Sequence, residues 1–342
     1  MLHRDGRAVH LSLDERTGAG FASQDLYLHG FFSANIKLPS DYAAGVVVAF
    51  YMSNGDVFEK THDELDFEFL GNIRGKEWRV QTNIYGNGST AIGREERYGF
   101  WFDPTEDFHK YSILWSHDRI IFSFAFSFFA CFGFVYPVLF LLGISLDASK
   151  FENTPSIAYK QLVDSYFLKA RSSSSLLFAK RFYIDNVPIR EVVRTEAMGG
   201  QFPSKPMSLY ATIWDGSNWA TSGGRYKINY KYAPYIAEFA DLILHGCAVD
   251  PMDHTPTCNG LAADLFNTIT ISADQRLAME RFRKKYMTYS YCYDRVRYSD
   301  PLSECSTGPE AREFQDSGEA RFINRRHRHG KRHHRAPANS AI

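Results

Sequence analysis

Glu64, Asp66 and Glu68 alternate with Leu65, Phe67 and Phe69 in the run His62-Asp63-Glu64-Leu65-Asp66-Phe67-Glu68-Phe69. A strand here carries three apolar side chains on one face and three carboxylates on the other. Neighbouring like charges push at least one carboxyl above its ordinary pKa, so the row calls for a metal, a cation partner or a catalytic use. A straight row lacks the looped oxygen ligands that calcium takes, and no metal or other cofactor is expected. A merely solvated acidic face fits poorly with a large apolar residue at every inward position. The chemistry that the row suits is glycoside cleavage with retention, in which one carboxylate attacks the anomeric carbon and a second donates, then recovers, a proton. Glu64 and Glu68 would take those roles. Asp66, between them, would hold Glu64 by a hydrogen bond and help keep the two pKa values apart. Their Cα atoms lie about 13 Å apart on a straight strand, whereas retention wants carboxyls about 5–5.5 Å apart. Long side chains and strand curvature must close that gap.

Such a row needs a sheet to hold it, and the flanking pattern supplies one. Val9, Leu11 and Leu13 alternate, and Val46 to Tyr51 is a buried-type run. Tyr183 to Val187, Met207 to Trp214 and Lys227 to Tyr232 read as further strands. Ser53-Asn54-Gly55-Asp56 and Gly86-Asn87-Gly88-Ser89 read as turns. One helix is expected from Ser272, where Ser272 and Gln275 make a capping box ahead of Leu277, Phe282 and Tyr286. A strand over Met287 to Tyr293 should follow it. The fold class is all-β, a sandwich.

Composition excludes other classes. With 39 Lys+Arg against 39 Asp+Glu, the chain lacks the positive charge of a basic nucleic-acid-binding domain. With 44% hydrophobic residues it is too apolar to be disordered throughout. Ser123 to Leu146 runs 24 residues without a charge, long enough to span a bilayer. No second span exists and the surroundings carry soluble β punctuation, so neither membrane nor nucleic acid is expected as a partner. Met1-Leu2-His3-Arg4-Asp5-Gly6 has no apolar region behind a basic start, and so no signal peptide. From Arg321 to Arg335 there are seven Arg/Lys and four His with no acid, which reads as a solvated tail or as an attachment to a polyanion.

The segment His62 to Asn72 resembles the active-site signature of plant xyloglucan endotransglucosylase/hydrolases, in glycoside hydrolase family sixteen. Gln81-Thr82-Asn83, Arg94-Glu95, Trp115, Tyr183 to Glu191, Pro206-Met207, Trp214, Trp219-Ala220-Thr221, Gly223-Gly224 and four cysteines follow in the family's order. Tyr27 to Phe32 and Gly71 to Gly75 are similar to the subgroup with a long basic C-terminal tail. The resemblance implies a curved, concanavalin-like β-jelly-roll sandwich with a glucan cleft on its concave face, and a short C-terminal extension of one helix and one strand. It makes Glu64 the nucleophile, Asp66 its helper and Glu68 the acid/base. It makes Gln81, Thr82, Asn83, Arg94, Glu95, Trp219, Gly223 and Arg297 glucan-binding positions. Trp214 fits either a cleft platform or a core tryptophan. Amides and arginines suit sugar hydroxyls, and an indole offers the apolar face of a glucosyl ring a platform. The implied reaction cleaves the β-1,4-glucan backbone of xyloglucan to a glycosyl-enzyme, which a hydroxyl of another xyloglucan chain or water then resolves. Transfer is expected from the subgroup, hydrolysis being the alternative. Donor and acceptor xyloglucan chains are the expected partners, with an anionic wall polysaccharide at the basic tail, in the apoplast or cell wall.

Cys247, Cys258, Cys292 and Cys305 allow three pairings, and their spacing is unlike that of zinc ligands. The resemblance implies Cys247 with Cys258 and Cys292 with Cys305. Disulfides and the sequon Asn87-Gly88-Ser89 together point to an oxidising, secretory compartment. The absent signal and the position of Met1 within a strand of relatives read as a truncated start. In relatives Phe122 continues directly into Tyr183, whereas here the 60 residues from Ser123 to Phe182 intervene. Eleven are Phe and ten are Ser, and Cys131, the fifth cysteine, lies among them. Phe, Ser, Leu and Val are what pyrimidine-rich DNA encodes, so the block reads as a retained intron. The expected division is a jelly roll over 1–122 and 183–245, the apolar insert 123–182, a disulfide-linked extension 246–307 and a basic tail 308–342. The rival readings are a carbohydrate-binding sandwich without catalysis, which has no need of Glu64 and Glu68, and an inactive product of a faulty gene model.

Overall fold

The computed structural model describes residues 2–3, 8–126, 186–250, 258, 266–305 and 308–321. Its alternating segments pair into two antiparallel sheets. In chain order the strands are β1 (Leu2–His3), β2 (Ala8–Leu13), β3 (Ala19–Ala22), β4 (Leu26–Lys37), β5 (Val46–Ser53), β6 (Glu64–Leu70), β7 (Arg79–Tyr85) and β8 (Glu96–Tyr98). There follow β9 (His109–Trp115), β10 (Arg119–Phe126), β11 (Asn186–Val193), β12 (Ser208–Asp215), β13 (Tyr235–Val249), the helix α1 (Ala273–Tyr286), β14 (Met287–Asp294) and β15 (Ser317–Glu319). One sheet has the order β1-β2-β13-β4-β9-β10-β11 and the other β15-β14-β8-β7-β6-β5-β12-β3. Strands distant in sequence are neighbours in both, the jelly-roll pattern.

Between the sheets lies the core. Phe50, Leu65, Phe67, Phe69, Val80 and Ile84 of the eight-stranded sheet meet Ile36, Tyr111, Ile113 and Phe122 of the other. Phe67 stands edge-on to Phe122 at 5.1 Å and Phe69 edge-on to Tyr111 at 4.7 Å. Each fully buried aromatic contributes about 1.5–3 kcal/mol, and this burial anchors β6 with its opposite face turned outward.

The capping box forms as expected: Gln275 N–H donates to Ser272 Oγ at 3.2 Å, and Ser272 N–H to Gln275 Oε1 at 3.0 Å. On α1 Phe282 is buried as expected, whereas Leu277 is exposed and Met279 is buried in its stead. Met279 joins Phe31, Leu114 and Ile121 on the outer face of the seven-stranded sheet. The strand expected after the helix is β14, one residue longer than the sequence pattern marks. The strand expected at Lys227–Tyr232 is instead a turn of 3₁₀-helix over Tyr230–Tyr232, because the Asn229 side chain accepts the Lys231 N–H at 3.1 Å and caps it.

Strand β10 runs to Phe126, so the first residues of the apolar block continue it rather than interrupt it. Ser123 to Phe126 pair with Ser112 to His109 of β9, and Ser123 to Ala125 face Pro188 to Asn186 of β11. The remainder of the block, Cys131, Tyr183–Asp185 and the tail beyond Arg321 lie outside the described residues. Among the described residues no helix is long and apolar enough to cross a membrane. Both disulfides, Cys247–Cys258 and Cys292–Cys305, are present, in the pairing that the resemblance implied.

Candidate active site

Strand pairing fixes which side chains share a face with the acidic row. Glu64 lies opposite Ser53 and Tyr85, Asp66 opposite Tyr51 and Asn83, and Glu68 opposite Ala49 and Gln81. With β12 adding Thr212 and Trp214, all of these residues except the buried Ser53 line a cleft of ≈ 440 Å³ together with Glu95 and Trp219. The two indoles stand 6.0 Å apart at an angle of 43°. Trp214 is thus a partly exposed cleft residue, not a core one. Loop 216–224 holds Trp219, and Gly224 is needed there: its φ is +81°, and a Cβ would lie 2.2 Å from the Asn218 carbonyl oxygen. Thr221 ties the loop down, its Oγ1 donating to the Gly71 carbonyl and accepting from Gly45 N–H, both at 2.8 Å. Gly223, also at positive φ, has open space around it.

The carboxylates are graded in environment. Burial raises the pKa of all three. Asp66, the most enclosed, is pushed well up by burial and then by Glu64 and Glu68 on either side, and its hydrogen bond with Glu64 favours the proton on Asp66. That bond, together with one to Ser53 and the proximity of His62, works in the opposite direction on Glu64. Glu68 is raised to about 7 by burial, against an opposing hydrogen bond from Gln81. Gln81 Nε2 donates to Glu68 Oε2 at 2.8 Å.

Two expected glucan-binding positions are corrected. Thr82 sits on the opposite pleat from Gln81 and Asn83; it is fully buried, and its Oγ1 accepts from Arg190 at 2.9 Å. Arg94 is buried as well, its guanidinium paired with Glu304 and donating to Gln201 Oε1 at 2.5 Å. Only its backbone reaches toward the cleft, donating to Asn83 Oδ1 at 2.8 Å. Arg297 lies beside the cleft and donates to Glu95 Oε2 at 2.6 Å. Asn87 is exposed on its turn.

Sequence reasoning missed Tyr51, Tyr85 and Thr212, which the outward parity of their strands would have found. It also missed Asp63, for which the sequence held no signal. That buried carboxylate accepts from the backbone of Asn87, Ser204 and Lys205 at 2.7–2.8 Å, and from Lys205 Nζ at 3.1 Å. Asp63 N–H in turn donates to Asn54 Oδ1 at 2.7 Å. Three loops are thereby pinned at the residue before Glu64. Among the described residues no cluster of His, Cys, Asp and Glu is arranged to hold a metal.

The profile for glycosyl hydrolases family 16 matches residues 1–125 and 179–232, and that for the xyloglucan endo-transglycosylase C-terminus matches residues 261–305. The chain belongs to the xyloglucan endotransglucosylase/hydrolase family. It is 56% identical over 334 residues to "Probable xyloglucan endotransglucosylase/hydrolase protein 27" of Arabidopsis thaliana, covering 96% of this chain and 82% of that one. It is 53% identical over 338 residues to protein 28 of the same series and plant, covering 98% and 84%. Among solved structures, a lichenase from a mouse hindgut metagenome matches with TM-score 0.43 and 20% identity, over 73% of this chain and 82% of that one. In this member of the xyloglucan endotransglucosylase/hydrolase family, the acidic row of β6 and the pair of indoles line the same cleft.

Proposed function

We propose that this protein is a xyloglucan endotransglucosylase of the plant cell wall, acting with retention through Glu64 and Glu68. The observation that carries the reading is the row itself: Glu64, Asp66 and Glu68 share one face of β6 and line one cleft with Trp214 and Trp219. Burial and the two flanking glutamates favour a proton on Asp66, its hydrogen bond to Glu64 works against protonation of Glu64, and burial raises Glu68 to about 7. One carboxylate ready to attack and one acid ready to donate is the pairing that glycosyl transfer with retention requires. Glu64 attacks the anomeric carbon as Glu68 protonates the departing glycosidic oxygen. Glu68, now ionised, takes a proton from the 4-hydroxyl of an acceptor glucan, whose oxygen displaces Glu64. Trp214 and Trp219 offer stacking faces for glucosyl rings, and Gln81, Asn83, Glu95 and Arg297 offer hydrogen bonds to hydroxyls. Names of the relatives support xyloglucan as donor and acceptor. A basic tail attached to an anionic wall polysaccharide, and glycosylation at Asn87, complete the reading of an apoplastic enzyme.

The test incubates the protein with xyloglucan and a labelled xyloglucan oligosaccharide, both as the full chain and with residues 123–182 removed. Transfer carries label into polymer, whereas hydrolysis only raises reducing ends. Glu64→Ala should abolish both. A correctly folded Glu64→Ala that still transfers would overturn the nucleophile's assignment.

A further inference from the structure

One row of residues crosses the eight-stranded sheet in register. Ala49 of β5, Glu68 of β6, Gln81 of β7, Arg97 of β8, Tyr289 of β14 and Glu319 of β15 are each paired with the next. Polar contacts run along it. Arg97 donates from Nη2 at 2.8 Å and from Nε at 3.2 Å to Gln81 Oε1, and Gln81 Nε2 donates to Glu68 Oε2 at 2.8 Å. The guanidinium lies 5.5 Å over the Tyr289 ring and 3.9 Å from Glu319 Oε1. The last of these residues lies outside the segments that both family profiles match.

A guanidinium has donors only, so the oxygen end of the Gln81 amide must face Arg97. Its NH₂ end must then face Glu68. Without Arg97 nothing in the row dictates that choice, since an amide turned over could equally accept a proton from the Glu68 carboxyl. We propose that Arg97 is a positioning residue for the acid/base, acting through Gln81, and that the C-terminal strand β15 holds Arg97 in place through Glu319. This inference rests on Glu68 as acid/base in the reading above.

The direction of the effect follows from the groups around Glu68. Glu64 on its own strand and Glu95 beside β8 oppose its ionisation; Asp66, where burial and both glutamates favour the proton, is not among the groups that shift it, and Ala49 and Tyr51 of β5 and Thr212 and Trp214 of β12 bring no charge. Arg97 is the cation on the opposing side, and the Gln81 N–H that it orients also favours the carboxylate. Losing Arg97 removes both influences, so the Glu68 carboxyl should hold its proton to higher pH.

The decisive measurement needs no substrate. The protein is labelled with glutamate carrying ¹³C at the side-chain carboxyl, and Glu68 is assigned by the signal lost in Glu68→Gln. Wild type should titrate near 7. Arg97→Met should move that midpoint upward by about half a pH unit or more. Arg97→Lys keeps the charge and one donor and should restore most of the shift, which a purely structural role for Arg97 would not produce. Thermal unfolding of each variant confirms that it is folded. The transfer assay run in parallel should show Arg97→Met losing about tenfold in kcat with little change in KM, and its alkaline limb should move upward with the midpoint. An unmoved midpoint in folded Arg97→Met, or a Lys variant as altered as the Met variant, overturns the inference. Failure of wild type to act on xyloglucan overturns the proposed function and leaves the titration result standing.

Discussion

Glu68 and Glu96 lie on strands of one sheet, separated only by β7, and face opposite sides of it. Glu96 points into the core. Arg283 donates to its two oxygens at 2.6 and 2.8 Å, Tyr98 Oη at 2.5 Å and Ser290 Oγ at 3.1 Å, with Arg190 Nε at 3.4 Å. Burial opposes the charge on Glu96, yet Arg283 and Arg190 overcome it and hold the carboxyl down to about 2. Glu68 faces the cleft, and its nearest cation, Arg97, stands one residue away behind a neutral amide. Its carboxyl rises to about 7. Both carboxyls experience desolvation, so partners and not burial decide the outcome. Direct contact with guanidinium makes a fixed structural anion. A cation held at one remove leaves an acid that can release and recover its proton near neutrality.

The largest effect expected on breaking this comparison is catalytic. Glu68→Gln removes the proton donor while keeping shape and the bond to Gln81, and should lower kcat for transfer by about 10²–10⁴-fold. A leaving group that needs no protonation, such as a dinitrophenyl glycoside of a xyloglucan oligosaccharide, should recover much of the first step. Equal loss on both donors would count against an acid role.

Next comes the structural partner. Arg283→Met leaves Glu96 buried with only Arg190, Tyr98 and Ser290, and should cost about 3–5 kcal/mol of stability, read as a lower urea midpoint. Transfer by the folded fraction should be little changed. Helix α1 is fastened to the sheet through this residue, so loosening should be sharpest there in hydrogen exchange.

How much of this was legible in the sequence depends on whether the decisive neighbour was local. The carboxylate face, the inward Phe67 and Phe69 and the Ser272–Gln275 cap follow from spacing of two and three residues, and all are found in the structure. Partners far along the chain left no such trace. Glu96 meets Arg283 across 187 positions and Arg94 meets Glu304 across 210. Arg94, an arginine beside a motif, therefore looked like a ligand group until its partner appeared. Thr82 shows the opposite failure: its place between Gln81 and Asn83 already put it on the inner pleat, and the motif's resemblance overrode that parity. Asp63, next to the row, was silent because its three loop partners are gathered only by folding.

The two glutamates should also give stability opposite slopes with pH. Glu96 has a folded value near 2, below its ordinary 4.5, so its contribution is present above 4.5 and is lost as pH falls through about 2. Glu68 has a folded value near 7, above its ordinary 4.5, so the folded state keeps a proton that the unfolded chain releases. Wild-type stability from this group therefore declines as pH rises from about 4.5 through 7. Glu68→Gln cannot titrate, and its advantage over wild type should grow across that window. Urea unfolding of both proteins at the two ends of the window checks the sign, and a constant difference would place the Glu68 proton elsewhere in the row.

Glu319→Gln should give the smallest effect and the most discriminating one. Its carboxylate stands 3.9 Å from Arg97 with both side chains partly in water, a pairing worth about 0.2–1 kcal/mol at most. Stability should hardly change. If β15 steadies Arg97, however, the alkaline limb of transfer should move in the direction that Arg97→Met takes, by a fraction of that shift. Moderate salt, which screens an exposed ion pair far more than the short hydrogen bonds from Arg97 to the neutral Gln81 amide, should reproduce the shift in wild type and leave Glu319→Gln unmoved. A salt response equal in both proteins would mean that the amide alone fixes Arg97, and that β15 contributes only its backbone to the sheet.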